Sequence, residues 1–255
     1  MAAPTPTDLS PVYISGPMFS VADKWQQRAI KHTLLSAGFT TYLPQHDGIE
    51  VGSLMASVNQ ANTSQVAPVI AFVRTIVFAM DMYQLLGPCK SLVFNMDGRV
   101  PDEGSVSETA AAFVAGKPIV IYKTTPITML GGEDNPMLSG LSMNWQTVGF
   151  PPTTMEDLPA ALLAAGLAVQ QAGFTPFQPG GQVSAVMKLG GTVWENIATI
   201  HGILKSVNPQ DPRTVIAAME ALLELQGQWQ TLISRAFPDA PVLQAPLFPP
   251  ATNKR

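Results

Sequence analysis

The residues whose types and spacing could do chemistry lie mainly in one stretch. Residues 95–108 read Asn-Met-Asp-Gly-Arg-Val-Pro-Asp-Glu-Gly-Ser-Val-Ser-Glu, which places Asp102 in a loop and Glu108 in the first turn of the helix that follows. A carboxylate in a first turn meets the positive end of the helix dipole and free backbone N–H groups, so it is expected to stay ionised at neutral pH. Attack on an anomeric carbon requires such a carboxylate. It forms a glycosyl ester while a second acid protonates the leaving group. The same spacing has a structural reading: Ser105 and Glu108 also fit a capping box, in which Glu108 only satisfies a backbone N–H.

Two residues elsewhere bear on the choice. Asp81 falls near the C-terminal end of an apolar helical segment, where the dipole disfavours an anion. An acid there needs a partner or a task, unless it faces solvent. Tyr13 sits in a short apolar run whose central residues should be buried. Its hydroxyl then needs a polar partner, and a carboxylate at a neighbouring strand end would serve. As a plain core aromatic, it would need only some satisfied hydrogen bond.

The elements that must position these groups alternate. Strands are predicted over 11–15, 39–43, 91–95 and 118–122, with Gly16-Pro17, Pro44 and Gly116 among the residues that punctuate them. Ser20, with Asp23 three residues on, reads as a helix N-cap, and Gly38 ends that helix. Within it Ala22, Trp25, Ala29, Ile30, Thr33, Leu34 and Ala37 form an apolar half opposite Lys24, Gln27, Arg28, Lys31 and His32. Residues 45–65 read as a loop, 68–86 as an apolar helix, and 105–116 as another helix. Strand and helix in alternation imply an α/β protein with a doubly wound parallel sheet that includes these four strands. Ligands in such sheets sit beyond the carboxyl ends of the strands, which directs attention to residues 16–19, 44–48 and 97–108. After Pro151-Pro152 the strand signals fade. Helices are predicted at 156–171, 182–206 and 212–236, the last opening at Asp211-Pro212. The expected division is therefore a catalytic domain over 1–150 and a helical C-terminal extension over 151–255.

Composition narrows the function class. Of 255 residues, 46% are hydrophobic and 13% charged, and the net charge is −4. A chain with no Lys/Arg run lacks the stripe that neutralises phosphates, so a nucleic-acid partner is not expected and a small neutral substrate is. The lean surface charge favours self-association. The single cysteine, Cys89, permits no internal disulfide and no multi-thiolate metal site, and His32, His46 and His201 lack ligand spacing. No metal is expected. His46 and His32 read as surface residues, His201 as a tail residue with no partner in view, and Cys89 as a small buried hydrophobe. The glycine pairs at 131–132, 180–181 and 190–191 read as turns, or in the last case as a close helix contact. The N-terminus has no signal-peptide pattern, and Arg74 and Asp81 interrupt the apolar segment 66–86. The reading is a buried helix in a cytoplasmic protein without a membrane partner.

Taken together, these pieces resemble the nucleoside 2-deoxyribosyltransferase family. The matching residues are 12–19 (Val-Tyr-Ile-Ser-Gly-Pro-Met-Phe), 42–48 (Tyr-Leu-Pro-Gln-His-Asp-Gly), Asp81, 97–108, and 116–118 (Gly-Lys-Pro), together spanning a little under half of the chain. The resemblance implies a flavodoxin-like fold, with about five strands in the sheet, and a cofactor-free transfer of 2-deoxyribose between nucleobases through a glycosyl ester on Glu108. It implies that Tyr13 holds and tunes Glu108, that Asp81 and Asp102 contact base or sugar and exchange protons, and that Gly16, Met18, Gln45 and Asp47 border the base. It also implies a homo-oligomer in which an asparagine from a neighbouring subunit completes each site. Asn144 is the candidate and Asn135 the competitor. Glu108 is followed here by Thr-Ala-Ala-Ala where the family more often has Leu-Gly, and the tail of about a hundred residues exceeds the family's length. Two rival readings stand beside the transferase. One is an N-glycosidase acting on nucleosides or their 5′-monophosphates, for which Arg99 and Ser105 are the nearest phosphate-binding candidates. The other is a non-catalytic nucleoside sensor.

Overall fold

The computed structural model describes residues 2–58, 63–97, 102–125, 135–142, 147–149, 153–174 and 177–238. Its chain divides into two compact units. One comprises Met1–Asp47 with Gln84–Gln178, the other Gly48–Tyr83 with Pro179–Arg255. The units therefore do not follow a single cut at residue 150.

The first unit holds an all-parallel sheet of five strands: β1 (Val12–Ser15), β2 (Thr41–Tyr42), β3 (Ser91–Asn95), β4 (Ile119–Tyr122) and β5 (Thr147–Val148). Their order is β2-β1-β3-β4-β5. This is the doubly wound, flavodoxin-like arrangement, whose strand order reverses between β1 and β3. The register pairs Tyr13 with Leu92 and Ser15 with Phe94, so β1 and β3 end side by side.

Period two along the strands sorts the two faces. Val12, Ile14, Val93, Val120, Tyr122 and Val148 pack with Ile30 and Leu34 of α1 (Val21–Ser36) and with Leu158, Leu162 and Ala165 of α7 (Leu158–Ala172). Tyr13 and Ser15 point to the opposite face, where α5 (Glu103–Val114) lies. Helix α7 thus belongs to the sheet, so the Pro151-Pro152 pair does not separate a catalytic domain from a helical tail.

Helix α1 begins with the capping box of Ser20 and Asp23 and is followed by Gly38 at φ 86°, as its sequence predicts. Its buried face differs from the predicted one. Gln27, Ile30 and Leu34 are buried, whereas Trp25 is 66% exposed. The cause is Gly16: a Cβ there would lie 2.0 Å from Gln27 Nε2 and 2.7 Å from Asn95 Cβ. The missing side chain lets Gln27 come in beneath the β1 loop, and that contact fixes the rotation of the helix.

Residues 45–65, predicted as a loop, contain α2 (Pro44–Asp47) and α3 (Gly52–Val58). Helix α3 contributes Leu54 and Val58 to the core of the second unit. Most of α4 (Val66–Leu86) also belongs there. By length and composition α4 could cross a membrane; its Val69, Phe72, Val73, Ile76 and Met80 lie in that core. They pack with residues of α8 (Gly181–Glu195), α9 (Ile197–Lys205) and α10 (Pro212–Ala236). The predicted helix over 182–206 is two helices that meet at Asn196. Gly190 makes the close helix contact expected of it, since a Cβ there would lie 2.0 Å from the Ala79 carbonyl oxygen. His201, read as partnerless, has its Nε2 2.9 Å from the carbonyl oxygen of Gly48. Cys89 is buried, and burial pushes its thiol up to about 12.

Candidate active site

At the carboxyl end of β1, two side-chain hydroxyls converge on one carboxylate. The Tyr13 hydroxyl donates to Glu108 Oε1 at 2.8 Å, and the Ser15 hydroxyl donates to Oε2 at 2.5 Å. Tyr13 and Ser15 are two residues apart on a strand and so share a face. Both are buried, while Glu108 keeps part of its surface open. A carboxylate offers about four lone-pair positions. Two hydroxyl donors leave acceptor capacity on each oxygen.

Glu108 is in the second turn of α5, not the first. The N-cap is Asp102, whose Oδ2 accepts from the Ser105 backbone N–H at 2.8 Å and from the Ser105 hydroxyl at 2.7 Å. Ser105 is therefore a capped residue rather than the cap, and the capping-box reading of Glu108 does not hold. The helix start does not hold Glu108 ionised either. Burial raises its pKa above the ordinary carboxylate value, the hydroxyls of Ser15 and Tyr13 pull it down, the negative charge of Asp102 pushes it up, and the outcome is a raised pKa. A carboxylate with restrained but accessible oxygens and a raised pKa can act as a nucleophile or exchange a proton.

A second polar cluster lies beyond the carboxyl end of β3. Asp97, two residues beyond β3, accepts from the backbone N–H groups of Thr124 at 2.6 Å and Thr125 at 2.9 Å, from both threonine hydroxyls, and from Gln26 Nε2. Burial works to raise its pKa, but these donors outweigh burial and hold it below the usual value. Asn95 donates to Gln26 Oε1 at 3.0 Å. These bonds tie the loop after β3 to the loop after β4 and to α1. They account for Asp97 as a clamp.

The other predicted residues have separate places. Asp47 is committed to structure: Lys31 Nζ lies 3.0 Å from its Oδ2, His46 Nδ1 lies 2.7 Å from its Oδ1, and the Leu43 N–H donates to it at 2.9 Å. Desolvation opposes ionisation of Asp47, yet its hydrogen bonds and Lys31 lower its pKa overall. These contacts tie α1 to α2. Gln45 is on α2, and Gly16 and Met18 are in the loop that leaves β1. Asp81 is on the part of α4 that belongs to the second unit. Asn144 and Arg99 lie outside the described residues. Asn135 caps the short helix α6 (Pro136–Ser139), its side chain accepting from the Met137 N–H at 3.0 Å. Ser15 is the group that reasoning from sequence missed. The signal was the strand period, which puts residue 15 on the same face as Tyr13.

The strand order defines a doubly wound α/β protein of flavodoxin-like topology, with the Glu108 carboxylate beside the carboxyl end of β1. No protein-family model matches the chain, and a search among curated proteins finds no match. Among solved structures, the crystal structure of a conserved protein from Enterococcus faecalis V583 is similar to this chain at a TM-score of 0.37 and 21% identity, covering 59% of this chain and 95% of that one.

Proposed function

We propose that the chain is an enzyme that cleaves and re-forms the N-glycosidic bond of 2′-deoxynucleosides, moving the sugar between nucleobases through an ester on Glu108. The observation that carries this reading is the grip of Tyr13 and Ser15 on the two oxygens of Glu108 at the carboxyl end of β1. A partly open carboxylate held this way is oriented for in-line attack on a carbon, and it draws on side chains alone.

In the first step a Glu108 oxygen bonds to C1′ while the C1′–N bond breaks. Its electron pair leaves with the base, which takes up a proton. In the second step the nitrogen of an incoming base attacks C1′ from the opposite face, the ester C1′–O bond breaks, and the carboxylate returns to its hydroxyl donors. In this reading Asp102, at the N-cap of the helix that carries Glu108, exchanges protons with the base. A homo-oligomer with a neighbouring subunit's asparagine completing each site belongs to the same proposal.

The test is a chromatographic assay with 2′-deoxyinosine, with and without adenine. New deoxyadenosine that forms only with adenine supports the transferase. Hypoxanthine released equally in both samples, with no new nucleoside, replaces it with a hydrolase on the same carboxylate. No reaction in either sample overturns the proposal and leaves a nucleoside sensor.

A further inference from the structure

We propose that Ser15 is a positioning residue for Glu108, holding Oε2 while Tyr13 holds Oε1, so that the side chain at position 15 sets how readily the glycosyl ester forms and breaks. This inference rests on the nucleophile reading above.

The argument begins with the terminal torsion of glutamate, which is broad and poorly fixed by rotamer preference alone. One donor on one oxygen leaves the carboxylate plane able to turn. Donors on both oxygens fix it. The Ser15 hydroxyl lies 2.5 Å from Oε2, the distance of a charge-assisted bond, while its other neighbour, the Ser105 carbonyl oxygen, is 3.5 Å away. A serine in the middle of a sheet does not serve the strand, because β-branched and aromatic residues suit that place better. Burying its hydroxyl is unfavourable unless it is paired. Its bond to Glu108 supplies that pairing.

The chemical consequence follows from what a donor stabilises. The Ser15 hydroxyl favours the charged carboxylate over the ester, whose oxygens are weaker acceptors. It therefore moderates attack in the first step and assists departure of the carboxylate in the second. Without it, the ester should accumulate and break down more slowly, by about tenfold for one hydrogen bond to a charged group.

The experiment compares the parent protein with Ser15→Ala and Ser15→Thr. Glu108 is titrated by carbon NMR of side-chain-labelled glutamate, its signal assigned with Glu108→Gln. The sugar-bearing protein is followed by intact mass after 2′-deoxyinosine is added, and again after addition of adenine. Ser15→Ala should titrate at higher pH and keep the sugar about ten times longer, and Ser15→Thr, which retains the hydroxyl on a strand-favouring residue, should restore both. If the parent carries the sugar and Ser15→Ala matches it in titration and ester lifetime, the role of Ser15 is overturned alone. If the parent never carries the sugar, the nucleophile reading falls and this role falls with it.

Discussion

The Tyr13 hydroxyl and the Glu108 carboxylate meet at 2.8 Å although 95 residues separate them along the chain. One comes from the first strand and the other from the helix between β3 and β4. Their meeting depends on the parallel pairing of β1 with β3, which brings the start of α5 over the end of β1. Changing Tyr13 to Phe removes that bond and leaves the ring against Tyr42, whose centroid is 5.4 Å away. Loss of a donor that favours the departing carboxylate should slow breakdown of the ester and lower kcat about 10- to 100-fold. The acid limb of the pH profile should move to higher pH, because Tyr13 is one of the groups that lower the Glu108 pKa. A Phe variant with the parent's rate and pH profile would show that the hydroxyl has no part in the chemistry.

Glu108→Gln should abolish turnover and stabilise the fold. A carboxyl whose folded pKa is raised contributes stability that is present below the unfolded value, ordinarily 4.5, and is lost as the pH rises through the folded value. The variant, having no charge to bury, should gain on the parent as pH increases across that window. Urea denaturation midpoints at pH 4, 6 and 8 measure the gain, and a constant difference would contradict it.

Asp97 has the opposite sign. Its pKa is held low, so its contribution is present above the unfolded carboxylate value and is lost as the pH falls through the folded value. Asp97→Ala removes the acceptor of the Thr124 and Thr125 backbone N–H groups and should cost about 2–4 kcal/mol at neutral pH. Thermal denaturation should show that deficit shrinking under acid conditions.

Asp47→Asn should leave turnover within about twofold of the parent and cost at most about 1 kcal/mol, since its bridge to Lys31 is partly solvated. A large rise in KM without loss of stability would return Asp47 to the base pocket.

Gly190→Val tests the packing of the second unit. The added side chain collides with the Ala79 carbonyl and the Tyr83 side chain, and relieving the collision should cost about 1–3 kcal/mol. Calorimetry would register it as a lower Tm.

How much of this was legible in sequence depended on how local the cause was. Strand runs such as Ser91–Asn95 and caps such as Ser20 and Asp211 are written in neighbouring residues, and they stand where they were predicted. Trp25 was misplaced because its helix is rotated by a contact between Gln27 and a glycine eleven positions upstream, which no helical wheel contains. Glu108 was put one turn too early because both Asp102 and Ser105 are good caps. Only geometry shows that Asp102 takes the Ser105 N–H. The buried hydroxyl of Tyr13 signalled a carboxylate partner, and the strand period put Ser15 on the same face, but a serine hydroxyl at that position did not by itself require the same partner. The short helix Gly52–Val58 is too brief for its periodicity to stand out, and α7 looked like the start of a tail because its sheet contacts lie far away in sequence.

The second unit draws on residues 48–83 and on residues after 179, which has a consequence for synthesis. The apolar face of α4, with Phe72, Ile76 and Met80, is translated long before the helices that cover it. At about 5–20 residues per second, a ribosome needs roughly ten seconds to supply them. Throughout that interval the nascent chain carries a helix whose apolar face lacks the later helices of its own unit. Slow codons placed between the two segments would lengthen that exposure and lower the soluble yield.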